Sequence, residues 1–153
     1  MKFRTISSDL YFDLAEYVKD YLVLNSEYDI KLYLGTDSQN KNDLTTYATT
    51  LVFHLGDSGC HVIFTRQFVP LIPISDYFTR LWGEVERSVN VAMYLRNNGI
   101  EVEHVGLDLN SDPKRKSHKL LAASKGYVEG YGFKARVKPD LLPAIKAADD
   151  LAR

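Results

Sequence analysis

Three acidic residues occupy places that solvation of a surface does not readily explain. Asp37 follows Lys-Leu-Tyr-Leu-Gly-Thr (31–36), Glu84 sits inside an apolar-periodic helix, and Asp108 follows Val-Glu-His-Val-Gly-Leu (102–107). If those two strands pair in parallel, both aspartates leave the sheet at one carboxyl edge, where open α/β sheets bind their ligands. Clustered carboxylates repel one another unless a hard cation neutralises them, and oxygen-only ligation favours magnesium or manganese over zinc. That is the skeleton of a divalent-metal phosphoryl-transfer site. Each acid has a plainer competing reading. Asp37 would be a turn residue in Thr-Asp-Ser-Gln-Asn, Asp108 would open the Asn110-Ser-Asp-Pro turn, and Glu84 would be a solvated helix acid, as Glu86 is expected to be.

The elements that must position these side chains follow from periodicity. Three β-branched and aromatic runs come in succession: 31–36, about 45–55 and about 60–69. Their breaks, Gln39 to Asp43 and Gly56 to Gly59, are turn chemistry, so the three predict an antiparallel meander. After Pro70 and Pro73 the period becomes helical from about Ser75 to Asn97, with Phe78, Leu81, Val85, Val89 and Ala92 on one face and Asn98-Gly99 as the stop. A strand at about 101–107 follows at once, and a helical crossover lets it lie parallel to the first strand. Then come the Asp112-Pro113 turn, a helix over about 117–125, a glycine-rich aromatic stretch (126–133), a short strand at 133–137 and a last helix starting near Pro139. Ahead of all this, Ser7 or Ser8 could cap a helix through Leu24, carried by Leu10, Leu14, Tyr17, Val18, Tyr21 and Leu22. Residues 1–29 therefore read as an appended N-terminal helical segment on a single domain spanning 1–153.

Six sequence blocks stand in order along this βββαβαβα pattern. They are Leu-Gly-Thr-Asp-Ser-Gln (34–39), Arg-Leu-Trp-Gly-Glu-Val-Glu-Arg-Ser (80–88), Leu-Asp-Leu-Asn (107–110) with Lys116-Ser117 after it, Gly-Tyr-Val-Glu-Gly-Tyr-Gly-Phe (126–133), Lys-Pro-Asp (138–140) and Ala-Ala-Asp (147–149). With them the chain resembles the YkuK-type family of ribonuclease H-like proteins over residues 31 to 150. The resemblance implies an α/β ribonuclease H-like fold, with a mixed five-stranded sheet of order 3-2-1-4-5 whose second strand is antiparallel. It also implies a site for two Mg2+ or Mn2+ ions. Carried over residue by residue, Asp37, Glu84, Asp108 and Asp149 become both the metal ligands and the catalytic set. Asp149 shares a helical face with Leu142, Ile145 and Ala152, whereas Asp150 does not. The activity implied is a nuclease acting on RNA, an RNA/DNA hybrid or a structured DNA. The alternative is a noncatalytic module on the same fold that binds nucleic acid or a protein. An actin-like phosphotransferase needs a second such domain, for which 153 residues leave no room.

Composition agrees with one soluble domain: 45% hydrophobic, 25% charged, and no apolar run near the roughly 18 residues of a membrane span. A lone cysteine, Cys60, excludes a disulfide framework and predicts a small, buried or half-buried thiol in a cytoplasmic protein. The net charge of −1 argues against a protein that coats nucleic acid indiscriminately, but the distribution is uneven. Between 112 and 138 eight cations face two acids, and Lys114, Arg115, Lys116 and Lys138 are the candidates for holding a phosphodiester. Tyr127, Tyr131 and Phe133 could stack on unpaired bases or fill the core edge. His54, His61 and His104 fall in strands and read as sheet-face histidines; His118 lies in the basic loop, within reach of a phosphate.

Overall fold

Alternation builds the sheet, and a two-residue turn sets its length. The computed structural model describes residues 1–71, 77–110 and 112–138. Strands β1 (Lys2–Thr5) and β2 (Phe12–Asp13) precede helix α1 (Leu14–Leu24). The meander β3 (Lys31–Lys41), β4 (Leu44–His54) and β5 (Cys60–Pro70) follows, then α2 (Tyr77–Asn97), β6 (His104–Asn110), α3 (Leu121–Gly130) and β7 (Ala135–Lys138). The sheet order is β2-β1-β5-β4-β3-β6-β7, antiparallel except for β3–β6 and β6–β7. The five strands from β5 to the β7 edge, β5-β4-β3-β6-β7, have the 3-2-1-4-5 order that the resemblance implies, with β4 antiparallel to both neighbours.

Two expectations are corrected at the strand ends. The Gln39 to Asp43 break shrinks to Asn42 and Asp43, whose φ values of 51° and 62° make the primed hairpin turn that matches strand twist. Gln39 and Asn40 therefore stay in the ladder opposite Thr46 and Thr45, and the Thr45 hydroxyl donates to Asn40 Oδ1 at 2.7 Å. Asp37 consequently lies within β3, and Asp108 within β6, rather than after them.

The N-terminal segment is also more than a helix. Phe3, fully buried, anchors β1 against β5, which extends the sheet by two short strands. Helix α1 begins only at Leu14, where the Asp13 carboxylate accepts from the Glu16 N–H at 3.2 Å. Ser8 caps no helix: its hydroxyl accepts from the Leu10 N–H in a local turn, and Leu10, which had suggested an earlier start, is 79% exposed.

One face of the sheet carries the core. Thr36 reaches Ser88 on α2, which assigns the even residues of β3 to that face, and Leu32 and Leu34 pair there with Phe53 and Leu51. Leu81, Val85, Val89, Ala92 and Leu95 of α2 close over them. The helix stops as expected: Gly99 takes φ +77°, and the Ile100 N–H reaches back to the Leu95 carbonyl. A 3-10 turn over Lys116–Leu120 leads into α3, which runs on to Gly130, so Tyr127 is helical rather than part of a loop. The expected last helix, with Asp149 and Asp150, lies outside the described residues. Among the described residues no helix is long and apolar enough to cross a membrane.

Candidate metal centre

The parallel pairing of β3 with β6 covers only Tyr33, Leu34 and Gly35 against His104, Val105 and Gly106. Asp37 and Asp108 each stand two residues beyond the last pair, so equal offsets carry them to the same place along the seam. On the other side of β6, the pairing with β7 shifts between Gly106 and Asn110, the interval that contains Asp108. Such irregularities let a strand re-aim a side chain.

Helix α2 supplies the third acid. Glu84 lies between Leu81 and Val85 and is 6% exposed, as is Asp37; Asp108 is half-buried, and Glu86 one residue past Val85 is exposed. A small recess between the helix and the seam is lined by Thr36, Leu81, Glu84, Val85, Leu107 and Asp108. Burial pushes the Glu84 carboxyl well above its ordinary range, and the charges of Asp37 and Asp108 push it further. Arg80, one turn earlier, opposes the shift, while a side-chain hydrogen bond to Asp37 favours the protonated acid. The structure thus brings three of the four expected acids together.

The surroundings hold that arrangement by directed contacts. Asp37 Oδ1 accepts from the Ser38 N–H at 2.8 Å. The Thr36 hydroxyl lies 2.7 Å from that of Ser88 and 3.1 Å from that of Thr49, a buried chain joining α2, β3 and β4 one turn from Glu84. Tyr47 of β4 donates to the Arg80 carbonyl at 3.3 Å, and its ring carries the Arg87 guanidinium 3.7 Å from the centroid. Gly83 makes this possible: a Cβ there would stand 2.5 Å from the Tyr47 hydroxyl oxygen.

The donor set fits a hard divalent cation. All three groups are oxygen ligands, and Glu84 Oε2 is buried with no hydrogen-bond partner, an unsatisfied acceptor that a cation would satisfy. Among the described residues the acids do not close into a group of three that could already hold an ion. A proton shared between Glu84 and Asp37 and a shared cation are alternatives, because both occupy the same oxygens.

The other candidates divide. Lys114, Arg115 and Lys116 are exposed on the segment that leaves β6, and Lys116 Nζ lies 4.5 Å from the centre of the Tyr77 ring at the start of α2. Lys138 pairs through its backbone with Asn110, two residues past Asp108. The aromatic stretch is structural for the most part: Phe133 is buried beneath Arg96, and Tyr127 packs on Trp82 between α2 and α3, which leaves Tyr131 exposed. His61 bonds to the Tyr17 hydroxyl at 2.6 Å, and burial lowers its pKa; His104, half-buried, is shifted the same way. His118 is half-buried beside the basic run. Cys60 is exposed rather than buried or half-buried, since it opens β5 beside the Gly59 turn. Arg80 is the residue that sequence reasoning missed. Its only signal was a cation four residues before a glutamate on an otherwise apolar stripe.

A family model described as ribonuclease H-like matches residues 13–153. No curated protein and no solved structure matches the chain.

Proposed function

This chain belongs to the ribonuclease H-like family, and on that premise we propose that it is a nuclease dependent on magnesium or manganese, hydrolysing phosphodiesters of RNA, an RNA/DNA hybrid or a structured DNA. The observation that carries the reading is the Glu84 carboxyl, buried against Asp37 and Asp108 with one oxygen unsatisfied. An acid buried beside two others costs stability, and such strained carboxyls cluster at functional sites. Asp37, Glu84 and Asp108 would hold two ions together with Asp149, which lies outside the described residues. Bound there, the ions would supply Lewis acidity for activating a water and offsetting phosphoryl charge. The chain's own residues do the rest. The hydroxyls of Thr36, Ser88 and Thr49 fix α2 against the sheet, the Ser38 N–H orients Asp37, and the seam keeps bulk water from Glu84. The cations that follow β6 draw the polyanion to the edge where the acids lie.

The test is incubation with single-stranded RNA, a hybrid and branched DNA, each with manganese and with chelator. Wild-type protein should cut at least one of them only with metal. Asp37→Asn or Asp108→Asn should lower the rate by about a thousandfold or more, since losing a transition-state contact at a metal centre costs several kcal/mol, and circular dichroism should show the fold intact. Salt-dependent binding without cleavage by the wild type would assign the noncatalytic nucleic-acid module instead.

A further inference from the structure

The acid cluster has a cationic rim that the three carboxylates do not account for. Arg80 lies one helical turn before Glu84, and its Nη1 donates to the Ser38 carbonyl at 3.4 Å, so the guanidinium stands between α2 and the strand residue that follows Asp37. Its Cζ is 5.7 Å from the centre of the Tyr77 ring. Lys116, from the segment that leaves β6, places Nζ 4.5 Å from the centre of the same ring. One aromatic ring thus collects two cations from two elements, α2 and the segment that leaves β6. The two charges are at most about 10 Å apart. Like charges so close repel, and cation–π contact offsets only part of that cost. An anion entering between them turns the repulsion into two charge-assisted hydrogen bonds.

We propose that Arg80, Tyr77 and Lys116 form a phosphate clamp, a binding subsite for the backbone of a nucleic-acid strand at the mouth of the acid centre. The inference rests on the nuclease reading for the identity of the strand, but not on cleavage. Arg80 grips a phosphate oxygen beside the carboxylates, and Lys116 holds the same phosphate or its neighbour along the strand. Tyr77 keeps both cations facing the path by the face of its ring. Lys114 and Arg115, exposed just before Lys116, extend the path away from the centre. Because phosphates rather than base edges are held, the clamp is indifferent to sequence.

The experiment is fluorescence anisotropy of labelled oligouridine and oligothymidine with the full chain, in chelator and in manganese, across a salt series. Arg80→Gln removes the charge and keeps a polar side chain, and an unchanged melting temperature separates gripping from support of the fold. Arg80→Gln and Lys116→Ala should each weaken binding about tenfold and lower the salt slope by about 0.7. Arg80→Lys should recover most of the loss at that position, and Tyr77→Phe should bind as wild type while Tyr77→Leu should not. Should wild type bind and both charge-removing variants bind equally well with an unchanged slope, the clamp is wrong and the nuclease reading stands. Should wild type bind neither oligonucleotide under either condition, the clamp falls, and the nuclease reading is decided by cleavage of the hybrid and the branched DNA. Should the charge-removing variants lose binding while the wild type cuts none of the substrates, the clamp is upheld and the nuclease reading falls.

Discussion

Strand β3 has two edges, and they are built differently. Against β4 it pairs along its whole length, Lys31–Lys41 opposite Leu44–His54, so every rung of that ladder is made. Against β6 it pairs at Tyr33, Leu34 and Gly35 alone, and beyond that point the chain sets Asp37 and Asp108. The comparison separates two jobs within one strand. The meander edge gives a continuous, self-satisfied ladder on which positions are fixed, whereas the β6 edge ends early and leaves room for acids whose charges oppose one another. Asp37 is a rung on the β4 side, opposite Ala48, and its carboxylate meets the other acids on the side where pairing with β6 has stopped.

If the meander edge is the source of stability, the largest effect on folding belongs to its core. Leu51 is fully buried between Leu34 and Ile63, and Leu51→Ala should cost about 2–5 kcal/mol, read as a shift of the urea midpoint. The manganese affinity of the folded fraction, followed by titration calorimetry, should scarcely move. An equal collapse of both would mean that the two edges are not separable.

A smaller effect of opposite sign is expected at the seam. The folded Glu84 pKa lies above its usual value near 4.5, so the folded state holds a proton that the unfolded state has released. Its stabilising contribution is complete below about pH 4.5 and disappears as pH rises through the folded pKa. Glu84→Gln should therefore be more thermostable than wild type at neutral pH, by about 2–4 °C for each kcal/mol recovered, and the difference should vanish in acid. Millimolar manganese should raise the wild-type midpoint by mass action and the variant's by less. A glutamine variant that melts below wild type from pH 4 to 8 would show that the seam carries no electrostatic strain. The smallest effect lies at the far end of the meander. Asp43→Gly, at a φ of 62°, should stabilise by up to about 1 kcal/mol and leave oligonucleotide binding unchanged.

These two edges were not equally legible. The antiparallel meander, the strand that lies parallel to its first member, the long helix with its Asn98-Gly99 stop and the convergence of Asp37, Glu84 and Asp108 follow from a period of two or of 3.6 and a helical crossover, whereas the full five-strand order came with the family resemblance. Asp37 was read as lying past its strand because Thr-Asp-Ser-Gln-Asn has turn composition. A fully paired, threonine-rich partner overrode that preference. The N-terminal strands were missed because a single buried Phe3 in four residues gives too short an alternation to compete with the helical spacing from Leu10 onward. Gly126 and Gly130 read as breaks, yet α3 carries both, since packing of Tyr127 on Trp82 outweighs a glycine's cost in a helix. Arg80 had no pattern of its own: which partner a single arginine meets depends on how two elements cross.

The chain of hydroxyls from Thr49 through Thr36 to Ser88 bears on how much change this protein tolerates. A helix seated on a sheet by leucines and valines alone is placed less uniquely, because apolar side chains of like volume can replace one another at small cost. An oxygen that must meet another oxygen at 2.7 Å works as a detent, with one setting and nothing usable on either side. Around Ser88, then, apolar residues of α2 can be exchanged for others of like volume while the helix keeps its index mark, whereas loss of either hydroxyl, on Ser88 or on Thr36, removes the mark that aims Glu84.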